Sequence, residues 1–153
     1  MKPAQLVQAT QRRSSVPLIA IAFATLLITA LPASAQGVAW PSIRASFHLP
    51  LDALGALLIA KMIGGLLTSL NSGRLIAALG MGRSLAIGMA VYTVGILGYL
   101  LAPVWWVIVL CGLVGGLGSG LVGASINTYF ATRHGPSLMV WLHACFGLGS
   151  ALG

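Results

Sequence analysis

The chain has 153 residues, of which 58% are hydrophobic and 6% charged, and its net charge is +7. A soluble domain carries about 25% charged residues, so this composition excludes a soluble globular enzyme, a disordered tail and a disulfide-stapled secreted scaffold. What remains is an all-α integral membrane protein, a bundle of about five transmembrane helices.

Residues 1–15 carry Lys2, Arg12 and Arg13 and read as a cytoplasmic N-terminal segment. No charged residue follows from Ser14 to Ile43, and a first membrane helix is expected at about 16–38. A basic start, an apolar middle and Ala33-Ser34-Ala35 also fit a cleavable signal peptide. The remainder is as apolar as this leader, so a retained helix is the better reading.

A short polar stretch with Arg44, His48 and Asp52 comes next, then a second apolar run at 53–73 interrupted only by Lys61. An Asp directly before an apolar run suits a helix N-cap, and that is the role expected of Asp52. From Ser84 to Thr132 there is no charge for 49 residues, about 74 Å as one helix. The hydrocarbon core is about 30 Å thick, so this run holds two crossings. Pro103 marks the break, with Trp105 and Trp106 beside it. Proline disfavours helix at the residue before it, and tryptophan favours the membrane interface. Helices are therefore expected at 84–102 and 104–130. Arg133-His134-Gly135-Pro136 reads as a turn before a fifth run, 137–153, which is still apolar where the sequence stops. The expectation is an N-terminal fragment of a longer chain.

The basic residues set the orientation. With the N-terminus in the cytoplasm, the inner side holds Lys2, Arg12, Arg13, Arg74, Arg83 and Arg133, and the outer side holds only Arg44. This is a strong positive-inside bias. Trp40, Trp105 and Trp106 then fall at the outer interface, and Tyr129 and Phe130 at the inner one. The same scatter of single basic residues, with no basic face, argues against nucleic acid as a partner. Cys111 and Cys145 lie inside apolar runs and read as small packing residues. No metal-ligand cluster and no phosphate-binding loop are present, so neither metal nor cofactor is expected.

Four polar positions are candidates for a substrate cavity. Lys61 lies near the middle of its run, where ionisable residues are rare and face an interior cavity. Gly65, Thr68 and Ser72 follow it along one helix face. Gln36 ends a milder stripe begun by Thr25 and Thr29. Asn127 and His143 are the other two, in the fourth and fifth runs. His143-x-x-x-Gly147 also occurs in intramembrane serine proteases. The Gly-x-Ser-Gly turn such an enzyme needs is absent, since Gly123-Ala124-Ser125-Ile126 lacks the last glycine, so no enzyme is expected. Gly112, Gly116 and Gly120 recur every four residues, a spacing that lets two helix backbones approach closely in lipid.

The connection Gly73-Arg74-Leu75-Ile76-Ala77-Ala78-Leu79-Gly80-Met81-Gly82-Arg83 resembles the cytoplasmic loop signature of the major facilitator superfamily, roughly G-x-L-x-D-R-x-G-R-R/K. Gly73, Leu75 and Gly80 match in register and Arg83 supplies a nearby charge; Ala77 and Ala78 replace the usual Asp and Arg, so the charged latch they form in the family does not carry over. Ser125-Ile126-Asn127-Thr128-Tyr129, Leu142-His143-Ala144-Cys145-Phe146-Gly147-Leu148-Gly149 and Gly37-Val38-Ala39-Trp40-Pro41-Ser42 are similar to the sugar permease branch that includes fucose permeases. Members often have a proton-coupling acid four positions before the asparagine, and this chain has Gly123 there.

The resemblance implies that 16–153 is an incomplete N-terminal half of a major facilitator fold, lacking its C-terminal half. It implies a secondary transporter or symporter of a small solute such as a sugar, multi-pass in the inner membrane. The alternative is a small multi-helix membrane protein with a structural or assembly role. Asp52, the one acidic residue in the chain, is placed too close to the interface for proton coupling, which leaves His143 or a carboxylate outside this segment.

Overall fold

The computed structural model describes residues 3–133 and 136–152, with side chains described for 19–133 and 137–152. Five helices follow one another: α1 (Pro3–Ser46), α2 (Ala53–Leu79), α3 (Met81–Leu100), α4 (Trp105–Arg133) and α5 (Pro136–Leu152). Four segments are long and apolar enough to cross a membrane: Ile19–Ser46, Ala53–Leu79, Met81–Leu101 and Trp105–Arg133. The fifth, Ser137–Leu152, is shorter. The fold is that of a helical multi-pass membrane protein.

Several boundaries differ from the sequence expectation. The first helix runs on to Ser46 instead of ending near residue 38, through Gly37 and Pro41. It stops where His48 takes a left-handed φ of 51°, and the Arg44 Nε–H donates to the Leu49 carbonyl at 3.0 Å. The second helix runs to Leu79 instead of residue 73. Arg74-Leu75-Ile76-Ala77-Ala78-Leu79 are strong or moderate helix formers with no breaker among them, so the expected loop is mostly helix.

The chain turns at Gly80 alone, with φ 78° and ψ 160°, a backbone conformation that favours glycine. The Gly80 N–H donates to the Ile76 carbonyl at 2.9 Å, and the Gly80 carbonyl accepts from the Ser84 N–H at 3.1 Å and from the Ser84 hydroxyl at 2.9 Å. One residue thus closes α2 and opens α3. The turn expected at Arg133–Pro136 includes His134 and Gly135, which lie outside the described residues, as does Gly153.

Asp52 does occupy the N-cap position of α2, but its side chain makes no capping hydrogen bond. Its backbone is in the right-handed helical region, with φ −78° and ψ −10°. A capping side chain needs the extended backbone that aims it at the first free N–H groups.

Helix α4 is the centre of the bundle, with α2 and α3 packed along it, while α1 pairs with α5 and meets α4 only lightly. Glycine makes the central contacts possible. On α4, Gly112 meets the Leu57 side chain of α2, Gly116 meets the Lys61 backbone, and Gly120 meets the Gly65 backbone. A second ridge faces α3: Gly118 lies against Gly88 and Tyr92, and Gly115 against Gly95. Backbones this close forfeit no apolar burial in lipid and gain dispersion contacts instead.

The two ends of the bundle carry different apolar clusters. One holds Trp40, Leu57, Trp105 and Ile108, with Ile43, Phe47 and Leu49 beside them. The Trp40 and Trp105 rings pack against each other, tilted by 55° with centroids 5.6 Å apart; both are buried, and Trp106 is exposed. The other end holds Ala22, Leu26, Val122, Ile126, Phe130 and Leu142. Arg44 lies toward the tryptophan end, and Arg83 and Arg133 toward the opposite end. Lys2, Arg12 and Arg13, which complete the expected charge bias, lie outside the described side chains.

Candidate functional site

The site begins with how α2 distributes its side chains. Leu58, Met62, Leu66 and Leu70 form an exposed stripe at helical spacing, which suits acyl chains. Leu57, Ala60, Gly64 and Thr68 form the buried face. Lys61 sits between the two and is half-buried. Its backbone rests on Gly116, and its stem passes 3.4 Å from where a Gly112 Cβ would stand. The α4 glycines bring no side chain of their own to that side, where the Tyr99 hydroxyl of α3 also lies 3.4 Å from the same point.

The Lys61 ammonium reaches α1. Its Nζ donates to the Gln36 amide oxygen at 2.6 Å. An ammonium can only donate, so the amide must turn its oxygen toward Lys61 and its NH2 away. Gln36 is 8% exposed, and its Nε2 is buried with no hydrogen-bond partner among the described residues. Of the three ammonium protons, one is spent on Gln36, and no second hydrogen bond from Lys61 is made among the described residues. Asp52, the one acid of the sequence, is exposed at the end of α2. The pair is therefore cationic, donor-rich and without a carboxylate.

Helix α2 places this pair off centre. Lys61 is eight residues after Ala53 and eighteen before Leu79, about 12 Å and 27 Å at helical rise. Measured on the apolar run ending at Gly73, it stays near the middle. Gln36 lies ten residues before the end of α1 at Ser46, about 15 Å, so the two residues meet at matching depth. Trp40, one turn beyond Gln36, and Leu57, one turn before Lys61, belong to the tryptophan-end cluster and cover the pair from that side.

The other stripe residues are satisfied locally. The Thr68 hydroxyl donates to the Gly64 carbonyl at 3.1 Å, and the Ser72 hydroxyl to the Ser69 carbonyl at 2.7 Å. The Thr29 hydroxyl donates to the Leu26 carbonyl at 3.0 Å. The Thr29 carbonyl accepts from the Tyr92 hydroxyl at 2.7 Å, a link between α1 and α3. Asn127 and His143 are exposed on α4 and α5, and no hydrogen bond joins either to the pair among the described residues. Of the loop-motif residues, Gly73 has open space around it, Leu75 is half-buried, Gly80 makes the turn, and Arg83 is exposed in the first turn of α3.

Sequence reasoning missed a second feature. A cavity of about 370 Å³ opens at the Arg133 end, lined by Ile21, Leu85, Ser125, Ile126, Tyr129 and Arg133 among others. The Arg133 guanidinium lies 5.8 Å from the Tyr129 ring centre, and the Ser125 hydroxyl is buried without a hydrogen-bond partner among the described residues. Ser125 and Tyr129 fall one helical turn apart, a spacing that could have drawn attention to that face. Among the described residues no group of three or more His, Cys, Asp or Glu could hold a metal.

No family model, no curated protein and no solved structure matches the chain.

Proposed function

We propose that these helices belong to a secondary transporter that carries a small polar solute across the membrane. The observation that carries this reading is the Gln36–Lys61 pair. An ionisable group at membrane depth is expensive and is retained where it faces a cavity, a partner or a solute pathway. Here the amide partner does not neutralise the ammonium, and it strands its own NH2 group. A purely structural bundle would be better served by two apolar residues of similar volume.

The packing supports the same reading. The α2–α4–α3 block is close-packed on glycine, whereas α1 and α5 form a pair that meets it through apolar side-chain clusters and the Lys61–Gln36 and Tyr92–Thr29 hydrogen bonds. Such a division lets one unit shift against the other without breaking a tight backbone seam. The resemblance of the Gly73–Arg83 segment to the major facilitator loop agrees with this, and the positive-inside bias of the basic residues adds the expectation of a cytoplasmic N-terminus.

Uptake by the full-length protein in proteoliposomes is the test, with radiolabelled monosaccharides and other small polar solutes. Lys61→Ala should abolish uptake while leaving the protein's amount in the membrane unchanged. Equal uptake by variant and parent, normalised to that amount, would remove Lys61 from the pathway.

A further inference from the structure

We infer that the Gln36–Lys61 pair recognises a carboxylate, so that the solute is a small organic anion and not a neutral sugar. This deepens the transport reading above and rests on it for the role of the pair as a solute site.

The inference starts from what the two side chains can accept and donate. Lys61 offers protons only. Gln36 has given its oxygen to Lys61 and has an NH2 group left. Every unspent polar atom of these two side chains is therefore a donor, and Lys61 as an ammonium brings one positive charge. A neutral polyol could accept from these donors but would leave the ammonium uncompensated in a low-dielectric interior. A carboxylate satisfies both requirements at once. It is acceptor-only, it takes several hydrogen bonds, and charge-assisted bonds of this kind are roughly twice as strong as neutral ones.

The chain itself supplies no competitor. Its eight basic residues face a single acid, and that acid, Asp52, stands exposed beyond the end of the run. The 2.6 Å bond to Gln36 holds Lys61 in place. Gln36 Nε2 is buried, so a bound anion must separate α1 from α2 locally, take the ammonium and free the amide.

Binding and transport are measured separately on the full-length protein. In nanodiscs, tryptophan fluorescence reports binding, because Trp40 lies one turn from Gln36 and packs against Trp105. The probes are carboxylates paired with neutral analogues: acetate with acetamide, lactate with lactamide, gluconate with sorbitol. At least one carboxylate should bind about tenfold or more tightly than its neutral partner. Lys61→Gln should erase that preference, and Lys61→Arg should keep part of it. Gln36→Leu, which retains the charge, should weaken binding without inverting the preference, and serves if Lys61→Gln does not fold.

Neutral analogues binding as well as the carboxylates would overturn the inference. So would a carboxylate preference unchanged in Lys61→Gln, or no binding of any probe. Lys61-dependent carboxylate binding without uptake in proteoliposomes would uphold the anion site and defeat the transport reading. Uptake of neutral analogues alone would do the reverse.

Discussion

Replacing Gly116 by alanine tests how the bundle positions Lys61. A Cβ at Gly116 would meet the Lys61 carbonyl oxygen, and would stand 2.9 Å from the Lys61 carbonyl carbon and 3.0 Å from its Cα. These are backbone atoms of α2, so no rotamer change relieves the clash. Carbon atoms rest comfortably at about 3.5–4.0 Å, so α2 and α4 must part by about 1 Å or bend. Overpacking of this kind costs about 1–3 kcal/mol, and an obstacle made of backbone argues for the upper half. Alanine returns up to about 1 kcal/mol of helix propensity over glycine. The net loss is about 1–2 kcal/mol, a shift of about 5- to 30-fold in the folded ratio.

Gly123 is the matched control. It lies on the same helix, and a Cβ added there would meet nothing within 4 Å, so Gly123→Ala should be neutral or slightly stabilising. Reversible unfolding in mixed micelles, followed by tryptophan fluorescence, measures both variants. Because Gly116 touches the Lys61 backbone itself, Gly116→Ala should also loosen the Lys61–Gln36 bond and reduce solute binding. Equal stabilities for Gly116→Ala and Gly123→Ala would refute the close α2–α4 seam.

Tyr92→Phe removes the hydroxyl that bridges α3 to the Thr29 carbonyl at 2.7 Å and should cost about 0.5–1.5 kcal/mol; the same unfolding assay reads it, and an unchanged stability would mean the bridge is not formed. A cysteine at Ser46 should react with an impermeant maleimide added outside intact cells, and one at Gly82 only after permeabilisation, both in a background lacking Cys111 and Cys145. Labelling of the Gly82 position from outside would reverse the orientation. Asp52→Asn should change stability by less than about 0.5 kcal/mol, because the carboxylate is exposed and makes no capping bond, and it should leave any pH-gradient-driven uptake intact. Complete loss of uptake in that variant, with normal amounts of protein in the membrane, would contradict the local role given to Asp52.

The membrane class, the number of apolar runs and the break at Pro103 were all legible in the sequence, because they depend on composition and on local backbone sterics. Helix ends were less so. Residues 74–79 read as a loop because Arg74 and the glycines around it punctuate the pattern, yet only Gly80 takes a backbone angle that stops a helix. The spacing of Gly112, Gly116 and Gly120 announced a close contact without naming its partner. That partner, the Lys61-bearing face of α2, comes from how α4 is placed in the bundle. Lys61 and Gln36 each stood out alone as polar residues in apolar runs, twenty-five positions apart. Their meeting could not be read from spacing, because local periodicity fixes the face a side chain occupies on its own helix. Which two faces meet, and at what depth, is set by packing between α1, α2 and α4. The stranded Gln36 NH2 follows from that meeting, since the orientation of an amide is decided only when a donor-only neighbour claims its oxygen.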